Sequence, residues 1–524
     1  MNKKLKNLSA LLLGFTLTVS WATSSFAAAD TSWTTSSKLY EIRTWAGKAE
    51  WGHENGAANA ATFFHPHSVV ALPDGKLLVS DNGNHLLRTL TAEQVSAYAG
   101  LDLGEDDAGL PKGGLNDAIL AQSAFELPSG LAIDVTGNIY VADTGNNAIR
   151  KITKDGKVTT LAGNGKIGST DGIGSEASFD HPTDVAVDAK GNIYVADTLN
   201  HVIRKIATDG KVTTLTAAST RNVEYFPGAV EDAGDFLDGA ISSAKFNEPS
   251  GVAVDAKGNL YVSDRGNQRI RYLDFASGQV TTVAGGGSYA SQASYVEGDY
   301  VDGAAAAARF NAPEGLTVTA DGTVVVADSL NHAIRLIKGG QVSTLAGVGS
   351  EYGQTDGVTG SAQFNHPTDV TVLADGRLAI ADEYGNKIRV LQKYTKPATL
   401  PSKTINVLLN GKLVPSDVPA QMKSNYTFLP VRAVSEALQY KVTNNNATDE
   451  AFLTKGDTTY TIKSGSKTVI KTVNGVNTTV TLNAPAFIKQ NRMFLPVRFF
   501  AEENNLDIQW DQSATTVVIR DKTF

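Results

Sequence analysis

Four side chains interrupt a repeat that otherwise carries small residues at the same positions. They are His67, Asp184, Glu314 and Asp369, and each lies one or two residues after the proline of a recurring Phe-Pro segment. An imidazole and three carboxylates that converge can bind a cation, or act as acid and base on a substrate. Oxygen ligands with at most one histidine suit Ca²⁺ or a polar ligand better than Zn²⁺. A solvated polar lining without a ligand is the alternative.

These residues belong to copies of one segment. The six copies start at Phe64, Phe125, Phe179, Phe246, Phe310 and Phe364. A copy such as residues 125–162 divides into four short strands, with turns at Gly137-Asn138 and Asp155-Gly156. Four antiparallel strands per unit are typical of a propeller blade, which needs neighbouring blades to cover both of its faces. We therefore predict a mainly β fold built on a six-bladed β-propeller.

The last copy lacks its fourth strand. Residues 39–47, "LYEIRTWAG", end like the fourth strands of the other copies and precede the first copy. We expect this N-terminal strand to complete the sixth blade and leave no open sheet edge. The first strand of each blade begins near the repeated proline, so the two residues after each proline should ring the mouth of the central channel. His67, Asp184, Glu314 and Asp369 would meet there.

Three copies carry Asn-His followed by an apolar residue, at residues 84–86, 200–202 and 331–333. Together with the "YVADTxNxxIRKI" core, these segments resemble the NHL repeat family over roughly residues 39–393. The resemblance implies a six-bladed β-propeller. Related propellers include a Zn²⁺-dependent amidating lyase and a streptogramin-type lyase, but three convergent histidine ligands or a matching acid–base pair cannot be placed in this sequence.

The repeated charged residues favour a structural role, because a feature present in every copy belongs to the scaffold. The second strands end at Asp81, Asp143, Asp197, Asp264, Asp328 and Asp382. The third strands contain Arg88, Arg150, Arg204, Arg271, Arg335 and Arg389. We expect each Asp to accept backbone N–H bonds from the turn that follows it and each Arg to pair with carboxylates.

Six of the eight histidines also occupy repeat positions and are interpreted as structural: His65, His85, His181, His201, His332 and His366. His53 and His67 do not repeat. Four loops carry Asp-Gly at a fixed distance from the repeated Phe, at Asp171, Asp238, Asp302 and Asp356. We favour a turn that anchors each loop over a Ca²⁺ ligand, because the spacing is not that of an EF-hand.

The copies differ most in the loops that precede the repeated Phe. The loop before Phe246 spans residues 217–245 and that before Phe179 spans residues 163–178. Long ordered loops in a compact domain are typically functional. They share one face of the propeller with the turns between second and third strands, so that loop-rich face is the predicted binding surface for a protein, a peptide or a glycan.

A different pattern begins after the propeller. Residues 394–403 have the Pro, Thr and Ser content of a linker, and residues 404–524 contain Phe-Leu-Pro-Val-Arg at 428–432 and again at 494–498. Each copy opens a short amphipathic helix, which predicts a smaller α+β domain. The double motif resembles the stalk-type domain named after the N-terminal region of copper amine oxidases. No copper is expected, because this region has no His and no Cys.

The first residues predict export. Residues 1–29 place Lys3, Lys4 and Lys6 before an apolar run and small residues, as in a secretory signal peptide. The stalk-domain resemblance implies an accessory or spacer domain of the kind attached to exported proteins of Gram-positive bacteria. No later stretch is apolar enough for a membrane anchor. The remaining chain has 43 basic and 54 acidic residues, so its net charge of −11 argues against nucleic acid. Residues 404–524 are basic by contrast, which would suit anionic cell-wall polymers.

These patterns predict a secreted protein, retained non-covalently at the cell wall, that presents the propeller (residues 30–393) on a stalk domain and binds a partner. The rival hypothesis is a metal-dependent lyase or hydrolase that acts at the channel mouth through His67, Asp184, Glu314 and Asp369. A bound divalent ion beside an unpaired base would favour the rival, since a fold alone does not imply chemistry.

Overall fold

The computed structural model describes residues 39–226, 228–397, 399–401, 404–511 and 514–523. The predicted signal peptide, residues 1–29, lies outside the described residues. Over residues 40–393 the strands form six antiparallel sheets, each of four or five strands, which are the predicted blades. The first strands of neighbouring blades contact one another in turn around a ring, so they enclose the central channel.

Equivalent strands of the six blades are given together. The first strands are Pro66–Ala71, Pro128–Ile133, Pro182–Val187, Pro249–Val254, Pro313–Val318 and Pro367–Val372. The second strands are Leu77–Asp81, Ile139–Asp143, Ile193–Asp197, Leu260–Asp264, Val324–Asp328 and Leu378–Asp382. The third strands are Leu86–Leu90, Ala148–Ile152, Val202–Ile206, Arg269–Asp274, Ala333–Lys338 and Lys387–Lys393.

The outer strands complete the blades. The fourth strands of blades one to five are Gln94–Ala99, Val158–Ala162, Lys211–Thr214, Gln279–Gly285 and Gln341–Ala346. Short fifth strands are Gly56–Ala57, Gly172–Ile173, Gly239–Ala240, Gly303–Ala304 and Gly357–Val358. A separate hairpin, Arg221–Phe226 with Ala229–Ala233, lies in the loop before the fourth blade.

The N-terminal strand closes the ring, as the sequence predicts. Tyr40–Ala46 pairs antiparallel with Lys387–Lys393, and Ile42 lies opposite Leu391. The strand therefore serves as the fourth strand of the sixth blade. Closure covers the edges that an open sheet would expose to other chains.

Each blade has a buried ion pair at its centre. The repeated Asp and Arg side chains lie 2.5–2.8 Å apart and are inaccessible to solvent in all six blades. The guanidinium also covers the ring of the repeated Phe, at 5.0 Å for Arg150 over Phe125. The first copy begins at Phe63 rather than Phe64, because Phe63 is the ring that Arg88 covers.

The hydrogen bonds of the repeated Asp differ from the prediction in one respect. Asp143 accepts the backbone N–H of Glu126, which precedes the first strand, and Nδ2 of Asn146 in the turn that follows. The Asp thus joins the two ends of its own blade. The Arg reaches the loop as well: Arg204 Nη2 lies 2.7 Å from Asp171 Oδ1, and Asp171 accepts the Thr214 N–H. The prediction that Asp-Gly turns anchor the loops is confirmed.

The smaller domain contains two helices and three sheets. The helices are α1 (Val431–Ala437) and α2 (Val497–Asn504). Its strands are Asn406–Leu409, Lys412–Leu413, Gln421–Lys423, Tyr426–Pro430, Lys441–Asn445, Glu450–Lys455, Thr458–Lys463, Thr468–Val473, Val476–Thr481, Phe487–Lys489, Arg492–Pro496, Leu506–Asp511 and Thr516–Asp521. Among the described residues, no helix has the length and apolar character needed to cross a membrane.

The two Phe-Leu-Pro-Val-Arg segments pair with each other. Leu429 lies opposite Leu495 in antiparallel strands, and both side chains are fully buried in one apolar core. The motif therefore forms the centre of the predicted α+β domain. This domain contacts the sixth blade, because the N–H of Val358 donates to the carbonyl of Lys522 at 3.0 Å.

Candidate binding site at the channel mouth

One ring of hydrogen bonds joins each blade to the next. The residue after each short turn between second and third strands has a left-handed backbone, and its side chain accepts the N–H of the residue before the next blade's proline. These acceptors are His85, Asn147, His201, Gln268, His332 and Asn386. The structural role predicted for His85, His201 and His332 is confirmed.

A second ring of hydrogen bonds breaks at two blades. The residue after the repeated Asp donates to the next blade's proline carbonyl in four cases: Asn82, Thr144, Thr198 and Ser329. The two exceptions are charged, Arg265 in the fourth blade and Glu383 in the sixth. Ser250 supplies the missing bond to Pro313 at 3.0 Å. The side chains of Arg265 and Glu383 do not donate to the proline carbonyl of the next blade and make other contacts instead.

Arg265 joins two glutamates at the mouth. Its Nη1 donates to Glu248 Oε2 at 3.0 Å, and its Nε lies 3.2 Å from Glu314 Oε1. The hydroxyl of Tyr295 donates to the other oxygen of Glu248 at 2.7 Å. Burial alone would lower the pKa of Arg265, but Glu314 and Glu248 outweigh it and raise that pKa. The guanidinium thus stays charged.

Glu383 continues the chain of charges into the sixth blade. Its Oε2 lies 2.7 Å from His366 Nδ1, and His366 Nε2 lies 3.9 Å from Glu314. Burial alone would lower the pKa of His366, but the hydrogen bond to Glu383 and the charges of Glu314 and Glu383 outweigh it and raise that pKa. Burial alone would raise the pKa of Glu383, but His366 and its neighbours lower it. These six side chains form a continuous series of contacts, which we call the polar chain: Tyr295, Glu248, Arg265, Glu314, His366 and Glu383.

A row of aromatic rings borders the polar chain, and we call it the aromatic wall. It consists of Trp51, Phe64, His65, Tyr384 and His366, with neighbouring ring centroids 4.5–5.2 Å apart. Trp51 and Tyr384 are 55% and 47% exposed, so the wall faces solvent. His65 and His366, which the sequence predicts to be structural, contribute their rings to this wall, and their backbone N–H groups also join neighbouring blades.

The loops around the mouth are held together by specific contacts. Arg221, at the base of the hairpin, donates to the carbonyls of Ala293 and Ser294 at 2.7 Å. Its guanidinium also lies 3.9 Å from the ring centroid of Tyr289. These contacts fix the loop that carries Tyr295, which positions one end of the polar chain.

The structure brings the four predicted residues together. His67, Asp184, Glu314 and Asp369 all line one cavity of about 90 Å³ at the channel, with Arg265 beside them. Asp369 Oδ2 accepts the Ser68 hydroxyl at 2.7 Å and the Val69 N–H at 3.0 Å, in the next blade. The two carboxylates of Asp184 and Asp369 thus also help to join blades.

Asp184 makes the equivalent contacts three blades away. Its Oδ2 accepts the Val252 N–H of the next blade, and its Oδ1 accepts its own neighbour's N–H at Val185, both at 2.8 Å. Burial and the charge of Asp369 raise the pKa of Asp184 well above its usual value. Burial likewise raises the pKa of Asp369. Both carboxyls therefore have raised pKa values, with burial as the main cause in each case.

Two buried nitrogen atoms of the lining make no hydrogen bond with the described residues: Nδ1 of His67 and Nε of Arg265. Arg265 Nε faces Glu314 Oε1 at 3.2 Å, within an ion pair. Glu314 is only 7% exposed, and its Oε1 lies near Arg265 and His366, whereas its Oε2 has no such partner in the part of the chain that the structure describes. Buried polar groups are normally hydrogen-bonded, so His67 Nδ1 is available to a ligand, with Glu314 Oε2 beside it.

The described residues contain no group of three His, Cys, Asp or Glu placed to hold a metal ion. The expected Ca²⁺ therefore has no ligand set at the channel. His53, the other histidine that does not repeat, lies on an exposed loop with Nε2 4.0 Å from Asp102. It does not line the channel.

Sequence reasoning missed most of the polar chain. Arg265 and Glu383 follow the repeated Asp, a position that holds Asn, Thr or Ser in the other four copies. A comparison of the copies at that position would have found both. Glu248 precedes the repeated proline. The other copies have His, Leu or Ala at this position and no acidic residue.

Models of known families match three parts of the chain. The NHL repeat matches residues 63–90, 125–152 and 179–206, the teneurin NHL domain matches residues 235–338, and the copper amine oxidase N-terminal domain matches residues 408–519. The chain carries an NHL-repeat propeller and a copper amine oxidase N-terminal-type domain. The match to the copper amine oxidase N-terminal domain does not imply a copper site, because Met422 and Met493 are the only soft ligands in the sequence of that domain.

Relatives match the propeller region in part. NHL repeat-containing protein 2 of Bos taurus is 28% identical over 404 residues, covering 70% of this chain and 53% of that protein. The chloroplastic protein SUPPRESSOR OF QUENCHING 1 of Arabidopsis thaliana is 31% identical over 291 residues, covering 53% and 26%. The chain thus spans a quarter to about half of the length of these relatives.

Among solved structures, an auxiliary nutrient binding protein from Bacteroides thetaiotaomicron aligns with a TM-score of 0.48 at 16% identity. The alignment covers 67% of this chain and 76% of that one.

Proposed function

We propose that the protein is an exported binding protein that holds its ligand at the channel mouth, on the loop-rich face of the NHL-repeat propeller. The observation that carries this proposal is the single occurrence of the polar chain and aromatic wall in a ring of six similar blades. The two rings of interblade hydrogen bonds and the six Asp–Arg pairs account for the scaffold. A charged and aromatic surface that occurs once has no such structural requirement.

The composition of the mouth supports binding of a partner. Trp51 and Tyr384 expose large rigid rings, which supply contact area at low entropic cost. Glu314, Glu383 and Arg265 place charges beside those rings, and such charges orient a ligand. The partner on this face is a protein, a peptide or a glycan.

The proposal includes location. The signal-like residues 1–29 and the absence of cysteine support export, and the basic residues 404–524 support non-covalent retention by anionic wall polymers. Fractionation of cells that express the full chain would test this. We expect the protein in the wall fraction, removable by high salt; recovery from the cytoplasm with an uncleaved N-terminus would contradict it.

The rival, a metal-dependent lyase or hydrolase acting through His67, Asp184, Glu314 and Asp369, lacks an observation in its favour. Asp184 and Asp369 already accept backbone N–H bonds, and no three metal-ligating side chains converge among the described residues. Binding is therefore the function that this geometry supports best.

Arrays of peptides and glycans test the proposal directly. The wild-type chain should bind members of one class, and the double variant Trp51→Ala/Tyr384→Ala should bind them at least tenfold more weakly. Leu413→Ala, an exposed apolar residue of the smaller domain, is the matched control and should bind as wild type. Equal binding by all three proteins would place the ligand elsewhere and overturn the proposal.

A further inference from the structure

The hydroxyl groups that line the channel cavity offer a ligand acceptors rather than donors, because each hydroxyl proton is already donated to another protein atom. Ser68 donates to Asp369, Ser250 donates to the carbonyl of Pro313, and Thr368 donates to the carbonyl of His67. Thr198 donates to the carbonyl of Pro249, and Thr183 has Ser250 O and Thr198 Oγ1 as partners. The lone pairs of these oxygens remain for a ligand.

The charged groups of the cavity favour the same kind of ligand, a cationic hydrogen-bond donor. Three carboxyl groups line it, from Asp184, Glu314 and Asp369, whereas Arg265 is its one guanidinium. That guanidinium is shared between Glu314 and Glu248. Burial raises the pKa values of Asp184 and Asp369, so the net charge of the cavity runs from near zero to negative as these two carboxyls ionise, and it favours a cation over an anion.

The size of the cavity limits the ligand group. Its volume is about 90 Å³. A water molecule takes about 30 Å³ of the liquid, and an engineered cavity that binds benzene measures about 150 Å³. The channel is thus too small for an aromatic or sugar ring, but it has room for an ammonium group and the last methylenes of an alkyl chain.

Resting on the proposed function, we propose that the channel mouth binds the primary alkylammonium group of its ligand, supplied by a lysine side chain or by a free amine. An ammonium has three donors and no acceptor, which matches a lining of acceptors. Glu314 Oε2 is an acceptor beside the ion pair with Arg265, and His67 Nδ1 is a second acceptor in the tautomer that carries its proton on Nε2. The buried donor of the lining, Arg265 Nε, already faces Glu314 Oε1 at 3.2 Å.

A metal ion is a poorer occupant of the same charge. It would need several ligands at fixed short distances, and no such group of three side chains exists among the described residues. An ammonium needs only acceptors in hydrogen-bond reach, which the hydroxyl and carboxylate oxygens provide.

The test uses three probes of similar shape on the full chain: butylammonium, butanol and butyrate, followed by saturation-transfer NMR. We expect butylammonium to bind at least tenfold more tightly than either of the others. Butanol or butyrate binding as well as butylammonium would overturn the proposal. This comparison needs no variant, so it stands even if a substitution in the channel prevents folding.

A variant locates the site. Glu314→Gln keeps the shape of the side chain and should weaken butylammonium binding at least tenfold, while Glu93→Gln, on an exposed turn, should leave it unchanged. Unchanged binding by a folded Glu314→Gln protein would overturn the proposal. A peptide with one lysine, compared with its Nε-acetylated form, then distinguishes the two sources: loss of binding on acetylation indicates a lysine, and binding of butylammonium alone indicates a free amine.

The failure of this inference and of the proposed function are separable. An array ligand that depends on Trp51 and Tyr384 but is not displaced by butylammonium contradicts the inference and leaves the function standing. Butylammonium binding that depends on Glu314, without any array ligand that depends on the aromatic wall, contradicts the function and leaves the inference standing.

Discussion

The blade interiors and the channel mouth place charged residues at adjacent positions of the same repeat, but the partners of those charges differ. In each blade the Asp and Arg are fully buried, and the Asp accepts further bonds from backbone and, in five blades, Asn. At the mouth, Arg265 and Glu383 replace uncharged residues and contact groups that no other blade has. The repeated Asp and Arg side chains are paired within their own blade. The charged residues that occur once, at the channel mouth, leave an acceptor such as Glu314 Oε2 without a protein partner among the described residues.

The difference teaches how a repeat protein acquires a site. The scaffold bond lost with Arg265 is replaced by Ser250, which donates to Pro313. At the sixth blade Thr368 donates to the carbonyl of His67. The ring therefore remains joined while two positions become free for other contacts.

The largest effect is expected from the blade interior. Arg150→Met would leave Asp143 buried without its cation, and burial already raises the pKa of Asp143 to about 6. Breaking one partner of a buried pair costs about 3–5 kcal/mol of stability. Denaturant unfolding measures the loss. Lys76→Met, which breaks an exposed pair with Asp74, should cost less than about 1 kcal/mol; equal losses would contradict the contrast.

The channel carboxyls should show the next effect. The pKa of Asp184 is raised by burial and by Asp369, so the native state binds more protons than the unfolded state above the ordinary pKa of Asp, about 3.9. Stability contributed by protonation is present at low pH and falls as pH rises through the native pKa. Carboxyl ¹³C titration should report a raised pair of apparent pKa values, lowered in Asp369→Asn.

The control for that titration is a half-buried carboxyl on the second blade. Asp134→Asn removes a group whose pKa is lowered by hydrogen bonds, and it lies outside the channel. It should leave the Asp184 titration unchanged. Ordinary pKa values for both channel carboxyls would show that they do not interact.

Much of this architecture follows from the sequence alone. The ring closure by residues 40–46 and the meeting of His67, Asp184, Glu314 and Asp369 follow from counting strands from the repeated proline. The alignment failed locally at Phe63, because a second Phe precedes His65 and mimics the repeat. Adjacent aromatic residues make such a repeat ambiguous by one position.

The polar chain could not be predicted in the same way. His65, His181 and His366 share a repeat position and a left-handed backbone, so the sequence treats them alike. Their partners differ: His181 lies 2.7 Å from its neighbour Asp180, whereas His366 lies 2.7 Å from Glu383. Such contacts depend on side chains brought together by the closed ring, which no local pattern encodes.

A single interblade hydrogen bond should have a smaller effect. Thr198→Val removes the donor to the carbonyl of Pro249 in the next blade, and with it the hydrogen bond between the hydroxyls of Thr198 and Thr183 within the same blade. Loss of each neutral hydrogen bond costs about 0.5–1.5 kcal/mol. Thermal unfolding of Thr198→Val should show this loss, while Val in place of the exposed Thr208 should have almost none. No difference between the two variants would mean that the ring of donors does not join the blades.

Substitutions at the channel mouth are expected to have the smallest effect on stability but a clear effect on the pKa of His366. Glu383→Gln removes the main partner that raises the pKa of His366, so burial would then lower that pKa. A histidine with a raised native pKa stabilises the fold below its unfolded pKa of about 6.5, and this stability is lost as pH rises through the native pKa. In Glu383→Gln the pH dependence should weaken or reverse, while His85, whose pKa is lowered by burial in the first blade, titrates as before. Imidazole NMR measures both rings, and an unchanged His366 would show that the polar chain is not electrostatically connected.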